Sequence, residues 1–475
     1  MLFNSYIFLF AFLPVVTLVW WLLARRERLR LAWLTLASYA FYSYFEFPRG
    51  LELLPLLIAS TTADYVAGVQ MARTSVARRR KQWLLLALTV NLGLLAYFKY
   101  LGFFESIANG VLALAGVPVE VPIHSLVLPI GISFYTFNSM SYSIDIYRGK
   151  VEPARSFLHY SAFVSLFPHL IAGPIVRYAD IAAQLDALKR RLTSTMVSVG
   201  AFFFICGLTK KLLLADTLAP TVDRLFASAD SLSFMSAWAA SLGYSLQMYF
   251  DFSGYSDMAV GLAMMLGFSF PQNFASPYKA RDISEFWRRW HMTLSRWMRD
   301  YVFIPLGGSH GTLLLTARNL FITMLLVGLW HGAAWTFVVF GLAQGVLLGG
   351  RALARNMGLW KPPAWLGRTL TYLSFVVTLM VFRSPSIDVA GTMASAMIGM
   401  QGLGLTDFGA SAISSAIPVL FMFQMGALLA WVNIAPNTFE YQLPATRRAA
   451  MVLGVLLAID LALVAAPSPF LYFQF

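Results

Sequence analysis

Charge is scarce in this sequence. Only 12% of its 475 residues are charged against 59% hydrophobic, with a mean hydropathy of +0.67, where soluble globular chains carry about a quarter charged residues. A string of soluble domains is thereby excluded. Cysteine is nearly absent: Cys206 alone, within an apolar segment, allows no internal disulfide and no Cys-rich metal site. The six histidines, His124, His159, His169, His291, His310 and His331, do not recur at i, i+4 with an acidic companion, so metal chemistry is not expected. No Walker loop, dinucleotide fingerprint or nucleophile elbow occurs, nor a fixed-period repeat or low-complexity tract. The first thirty residues lack a basic leader and a small-residue cleavage site and read as a retained first span. The net charge of +13 lies in short clusters between apolar segments, which fits the positive-inside bias of membrane proteins and not a nucleic-acid partner.

What is present is apolar length. Windows of about 20 apolar residues, enough to cross a hydrocarbon core about 30 Å thick, recur from Leu9 to Val464. They predict an all-α polytopic membrane protein of about ten to twelve transmembrane helices. It forms one integral-membrane domain over 1–475, with N-terminal spans in 1–150, a core in about 151–350 and C-terminal spans in 351–475. The 21 prolines and 33 glycines, several inside apolar windows, predict broken or re-entrant helices, tolerated in lipid only where protein satisfies the freed backbone. "FLHYSAFVSLFPHLIAGPIVRY", with Pro168 and Pro174, reads as re-entrant, and "VLALAGVPVEVPIHS" as interfacial. Arg25, Arg26, Arg28 and Arg30, then Arg73 and Arg78 to Lys81, predict the cytoplasmic side, placing both termini outside. Lys210, Lys211 and Arg224 give no clear side, and the path over about 192–276 stays open.

Three stretches carry candidate chemistry. "RDISEFWRRWHMTLSRWMRDYVFIPLGG" has helical periodicity: its arginines, among them Arg288, Arg289, Arg296 and Arg299, fall within an arc of roughly 100° opposite a Trp-rich face. This predicts an interfacial helix whose arginines suit a phosphate-bearing or acidic donor, with His291 at the seam of the two faces. "NLFITMLLVGLWHGAAWTFVVFGL" reads as one run of spanning length with His331 about 20 Å past Arg318 at 1.5 Å per residue. An ionisable group at that depth is by default functional. Low dielectric keeps such an imidazole neutral and able to take a hydroxyl proton, which makes general base its natural role. Gly328 and Gly332 leave the helix surface bare beside it, for another helix or a slender ligand, and Trp330 and Trp335 supply walls.

The third stretch, "YFDFSGYSDMAVG", sets Asp251, Ser253, Tyr255, Ser256 and Asp257 between apolar runs. Six residues apart on one helix the two acids would face different ways, so a kink or break is expected between them. They would orient an imidazole, line a hydrophilic channel or fix helices together. Asp64, Asp145 and Asp460 read as structurally paired. A proton-coupled transporter would also carry intramembrane His and Asp, but the inverted repeats with paired broken helices that favour one are not found.

With "LPIGISFYTFNSMSYSIDIYRG", "FPHLIAGPIVRY", "YFDFSGYSDMAVGLAMMLGFSFPQNFASPY", "FWRRWHMTLSRWMRDYVFIPLGG", "LLVGLWHGAAW" and the terminal "FLYFQF", the chain resembles the membrane-bound O-acyltransferase (MBOAT) family, in particular its AlgI-like branch that O-acetylates alginate for export. The resemblance covers most of the chain. It implies a helical bundle around a central tunnel, His331 as the essential residue and His291 as the second motif position. It implies no permanently bound cofactor; the donor would be an acetyl-CoA or acyl-carrier-protein thioester on the cytoplasmic side of the bacterial inner membrane. The acceptor would be an external hydroxyl, with periplasmic acetyl-relay proteins as partners. Cellulose, peptidoglycan and, with a D-alanyl donor, teichoic acid are the alternative polymers.

Overall fold

The computed structural model describes residues 1–45, 47–187, 193–358, 362–404, 416–441, 446–464 and 468–471. Among them the secondary structure is helical, without strands. Two compact units share the chain: Met1–Phe204 with Met258–Pro271, and Ile205–Asp257 with Gln272–Phe475.

The first unit holds α1 (Leu13–Leu22), α2 (Glu27–Tyr44), α3 (Arg49–Arg73), α4 (Ala77–Leu95), α5 (Leu101–Leu114), α6 (Ile132–Tyr147), α7 (Phe157–Val164), α8 (Phe167–Leu170), α9 (Tyr178–Asp186) and most of α10 (Ser194–Thr209). Its polar groups act as clamps. Asn91 on α4 donates to both carboxylate oxygens of Asp64 on α3, at 3.0 and 2.8 Å, and Ser143 on α6 donates to the same carboxylate at 3.0 Å. Such pairing is what a fully buried acid requires. Arg30, expected in an exposed basic flank, is instead 1% exposed, its guanidinium 3.9 Å from the Trp20 ring centroid; cation–π contact offsets its lost hydration. The segment read as re-entrant is α7, α8 and an extended stretch to Arg177, buried almost throughout. Pro168 stands in the first turn of α8, where its missing donor is tolerated, and Pro174 lies in the extended stretch that follows. The segment read as interfacial leaves the helix after Leu114 and runs extended, held by two hydrogen bonds between the Asn109 amide and Val121.

The second unit holds α11 (Ala219–Ala227), the first part of α12 (Phe234–Met265), α13 (Ile283–Arg289), α14 (Met292–Met298), α15 (Leu313–His331), α16 (Trp335–Asn356), α17 (Ala364–Arg383), α18 (Ile387–Met397), α19 (Ala416–Ile434) and α20 (Arg447–Leu463). Five helical stretches among the described residues are long and apolar enough to cross a membrane: Ala77–Leu114, Ser194–Ala215, Leu313–His331, Trp335–Asn356 and Ala364–Arg383; Phe8–Leu22 and Val419–Ile434 are shorter apolar helices. The chain is a polytopic, all-helical membrane protein.

Three expectations are corrected. The run Asn319 to Leu342 is not one span: α15 ends at His331 and α16 starts at Trp335, so His331 closes a helix at a hairpin turn. Glycine makes the hairpin tight. A Cβ on Gly328 would run into the Phe337 carbonyl and lie 2.9 Å from the Gly341 Cα, and one on Gly341 would lie 2.6 Å from the Met324 carbonyl oxygen; side chains there would force α15 and α16 apart. Second, no break separates Asp251 from Asp257: α12 is continuous through both. The acids do face different ways, and each finds its own cation. Third, the basic amphipathic helix is two helices, α13 and α14, interrupted at Trp290 and His291.

Candidate functional site

The interruption at His291 builds the site. Trp290 is extended and His291 is left-handed, φ 42, a conformation that a non-glycine residue adopts at a cost when neighbours impose it. The neighbour is the strand-like segment from Asn273 to Ala275. The Ala275 N–H donates to the Arg289 carbonyl and the Met292 N–H to the Asn273 carbonyl, both at 2.9 Å. These bonds replace the helical ones lost at the break. Arg289 adds a guanidinium donor to the Ala275 carbonyl at 3.0 Å.

The Asn273 side chain completes the seam. Its Oδ1 accepts from the Thr293 N–H at 3.3 Å and the Thr293 hydroxyl at 2.9 Å, and stands 3.0 Å from Nδ1 of His291. The His291 ring is fully buried and perpendicular to that of Phe252 of α12, ring centroids 4.7 Å apart. Burial, and after it the charge His331 would carry, holds the His291 imidazole well below its ordinary pKa. It is neutral at pH 7.

Trp330 joins the two histidines. Its ring lies 5.9 Å from that of His291 and 5.0 Å, edge-on, from that of His331. Phe382 of α17 and Phe340 of α16 stand edge-on to His331 at 5.2 and 6.2 Å. His331 keeps 8% of its surface open, where His291 keeps none.

The other residues singled out in the sequence lie in different settings. Asp251 takes a hydrogen bond from Lys211 at 2.7 Å and from the Leu471 N–H at 3.1 Å. Asp257 takes one from Lys210 and one from Thr438, both at 2.6 Å. Of the three roles open to this pair, fixing helices together fits these contacts, and the buried lysines explain why that stretch gave no membrane side. Tyr255 meets Phe470 edge-on at 4.5 Å, inside the terminal "FLYFQF", whose last four residues lie outside the described ones. Ser253 is buried on the same helix. Gly328 and Gly332 face α16: a Cβ on Gly332 would lie inside the Phe337 ring. The bare surface beside His331 is therefore taken by a helix. Trp335, expected as a wall, is 53% exposed at the start of α16. The arginines do not form one face, since the break splits them: Arg288 and Arg289 end α13, Arg296 lies on α14 and Arg299 follows it. Arg289 pairs with Glu285 at 2.8 Å and Arg299 with Asp300 at 2.6 Å; Arg288 is exposed.

Asn273 is the residue that sequence reasoning missed. Its signal was an amide next to Gln272 within "SFPQNFASP", but its contact with His291 depends on a turn that periodicity does not report. Asp460, expected to pair structurally, accepts from Thr209 at 2.8 Å. No group of three or more His, Cys, Asp or Glu placed to hold a metal occurs among the described residues.

A family model of the membrane-bound O-acyltransferases matches residues 154–389. The "Probable alginate O-acetylase AlgI" of Azotobacter vinelandii is 42% identical over 416 residues, 87% of this chain and 81% of that protein. The protein of the same name from Pseudomonas putida is 38% identical over 501 residues, covering 100% of both chains. The "Peptidoglycan O-acetyltransferase" of Helicobacter pylori is 37% identical over 439 residues, 85% of this chain and 81% of that one.

Proposed function

Because the chain belongs to the membrane-bound O-acyltransferase family, we propose that it passes an acetyl group from a cytoplasmic thioester, acetyl-CoA or an acylated carrier protein, to an extracytoplasmic hydroxyl for O-acetylation of exported polysaccharide. Alginate is the favoured polymer, on the likeness to the two alginate O-acetylases; peptidoglycan is the second reading, on the Helicobacter pylori relative. The chain is a multi-pass membrane O-acyltransferase. Its membrane in this reading is the bacterial inner membrane, with both termini periplasmic, a periplasmic relay protein taking the acetyl group onward, and lipids around the spans.

The observation that carries the reading is the pair of imidazoles set against Trp330, of which His331 alone keeps open surface. His331 is the base on the attacking hydroxyl. The oxygen bonds to the thioester carbonyl carbon, the C–S bond breaks, and the proton taken by the imidazole is returned to the departing thiolate. The neutral His291 is the second nitrogen base, able to share that proton. Holding thioester and alcohol together, out of bulk water, supplies much of the rate. Purified protein with an acetyl thioester and a soluble hydroxyl acceptor tests this: His331→Ala should remain folded and lose transfer. Wild-type turnover in that variant overturns the reading.

A further inference from the structure

The hydrogen bonds around Asn273 decide which nitrogen of His291 carries hydrogen. A backbone N–H can only donate, so the Asn273 atom facing the Thr293 N–H at 3.3 Å is the amide oxygen. The amide nitrogen then points the other way, and it does meet an acceptor, the Ser256 hydroxyl oxygen of α12 at 3.1 Å. The side chain is thus pinned at both ends and cannot flip without losing bonds at each. Nδ1 of His291, 3.0 Å from the same Oδ1, must be the donor, because two acceptors would repel at that distance.

We infer that Asn273, anchored by Ser256 and Thr293, is a positioning residue that locks neutral His291 as the Nδ1–H tautomer with its lone pair on Nε2. The left-handed backbone at His291 serves this lock, since it brings the ring and the Thr293 N–H to one oxygen. Ser256 belongs to the polar run "YFDFSGYSDM", so part of that run supports the histidine through Asn273, while its two acids are held by lysines. An amide suits the task better than a carboxylate. It accepts from Nδ1–H without adding the negative charge that would favour the imidazolium, and Nε2 remains a proton acceptor. The His331 imidazole on α15, when charged, acts on His291.

The inference rests on the reading of the His291–Trp330–His331 cluster as the reaction centre, and its test separates the two. Nitrogen NMR of histidine-labelled protein in detergent, with His291 assigned by its disappearance in His291→Gln, reads the tautomer without any turnover. Wild type should show hydrogen on Nδ1 and an unprotonated Nε2; hydrogen on Nε2 overturns the inference whatever the activity. Asn273→Asp keeps the acceptor and nearly the shape. It should raise the His291 pKa and move the acidic limb of the pH–rate profile up by about one unit or more, with activity recovered at higher pH. Asn273→Leu should mix the tautomers and lower kcat about tenfold or more with little change in donor KM, a split that mere loss of stability does not produce. An Asn273→Asp protein with unaltered His291 resonances and pH profile overturns the lock. Full transfer by His291→Ala would instead defeat the reaction-centre reading and leave the tautomer measurement standing.

Discussion

The two histidines of the second unit are held in opposite ways. His331 ends an unbroken 19-residue helix and is positioned by shape: Trp330, Phe340 and Phe382 present ring edges to it, and the glycine-lined seam with α16 fixes the helix that carries it. His291 sits where a helix is broken and is positioned by hydrogen bonds, through a backbone turned left-handed and an asparagine anchored elsewhere. Hydrogen bonding assigns the nitrogens. A base that meets substrate suits the first arrangement and a neighbour that must stay neutral and of one tautomer suits the second.

The largest effect expected comes from comparing the two directly. His331→Ala should cost about a hundredfold or more in kcat, the range of a lost general base, with a smaller loss of melting temperature than His291→Ala, because the ring removed keeps 8% of its surface open. His291→Ala should cost less in kcat and more in stability, because it leaves the Asn273 oxygen and the buried turn short of a partner. Thermal melts and single-turnover transfer on the two variants measure both. The opposite ranking in both readouts would show that the roles are exchanged.

Second in size is Gly328→Val. With the Phe337 carbonyl and the Gly341 Cα where the added side chain must go, α15 and α16 have to separate, at about 1–3 kcal/mol for an overpacked site. Because His331 is positioned by that packing, kcat should fall together with Tm, whereas the His291 tautomer, fixed by bonds to Asn273, should persist. A Gly328→Val protein with normal turnover and a lowered Tm would mean that the α15–α16 seam does not position His331.

This contrast also sets what could be read from the sequence. Helical content, the recurrence of apolar windows, the burial of both histidines and the pairing of Asp64 and Asp460 were legible, since hydropathy and residue type report on desolvation. The breaks were not. A period near 100° continues across Trp290 and His291, and only bonds from a segment about fifteen residues earlier stop the helix there. At Asp251 and Asp257 the error ran the other way: two acids in an apolar run suggested a break, but Lys210 and Lys211, some forty residues away in sequence, neutralise them and the helix continues. At Gly332 the apolar composition of "GLWHGAAW" hid a turn, because the residues flanking a buried hairpin are as apolar as the helices it joins. Local pattern reports apolar length; long-range partners decide where helices stop.

The smallest effect expected tests the surface that this break rearranged. Arg288 was expected on a continuous arginine face, but the split at His291 leaves it exposed at the end of α13, near Asp282, whose carboxyl caps that helix and takes a hydrogen bond from Arg351 at 3.1 Å. If a phosphate-bearing or acidic donor is drawn to this end of α13, Arg288→Ala should raise donor KM by about twofold at low salt, leave kcat and Tm unchanged, and converge with wild type as salt screens the charge. A kcat change would place Arg288 in the reaction centre. An unchanged KM at every salt concentration would remove it from donor recruitment and leave Arg296 to be tested, the half-buried arginine of α14 that follows His291 in the same turn-and-helix element.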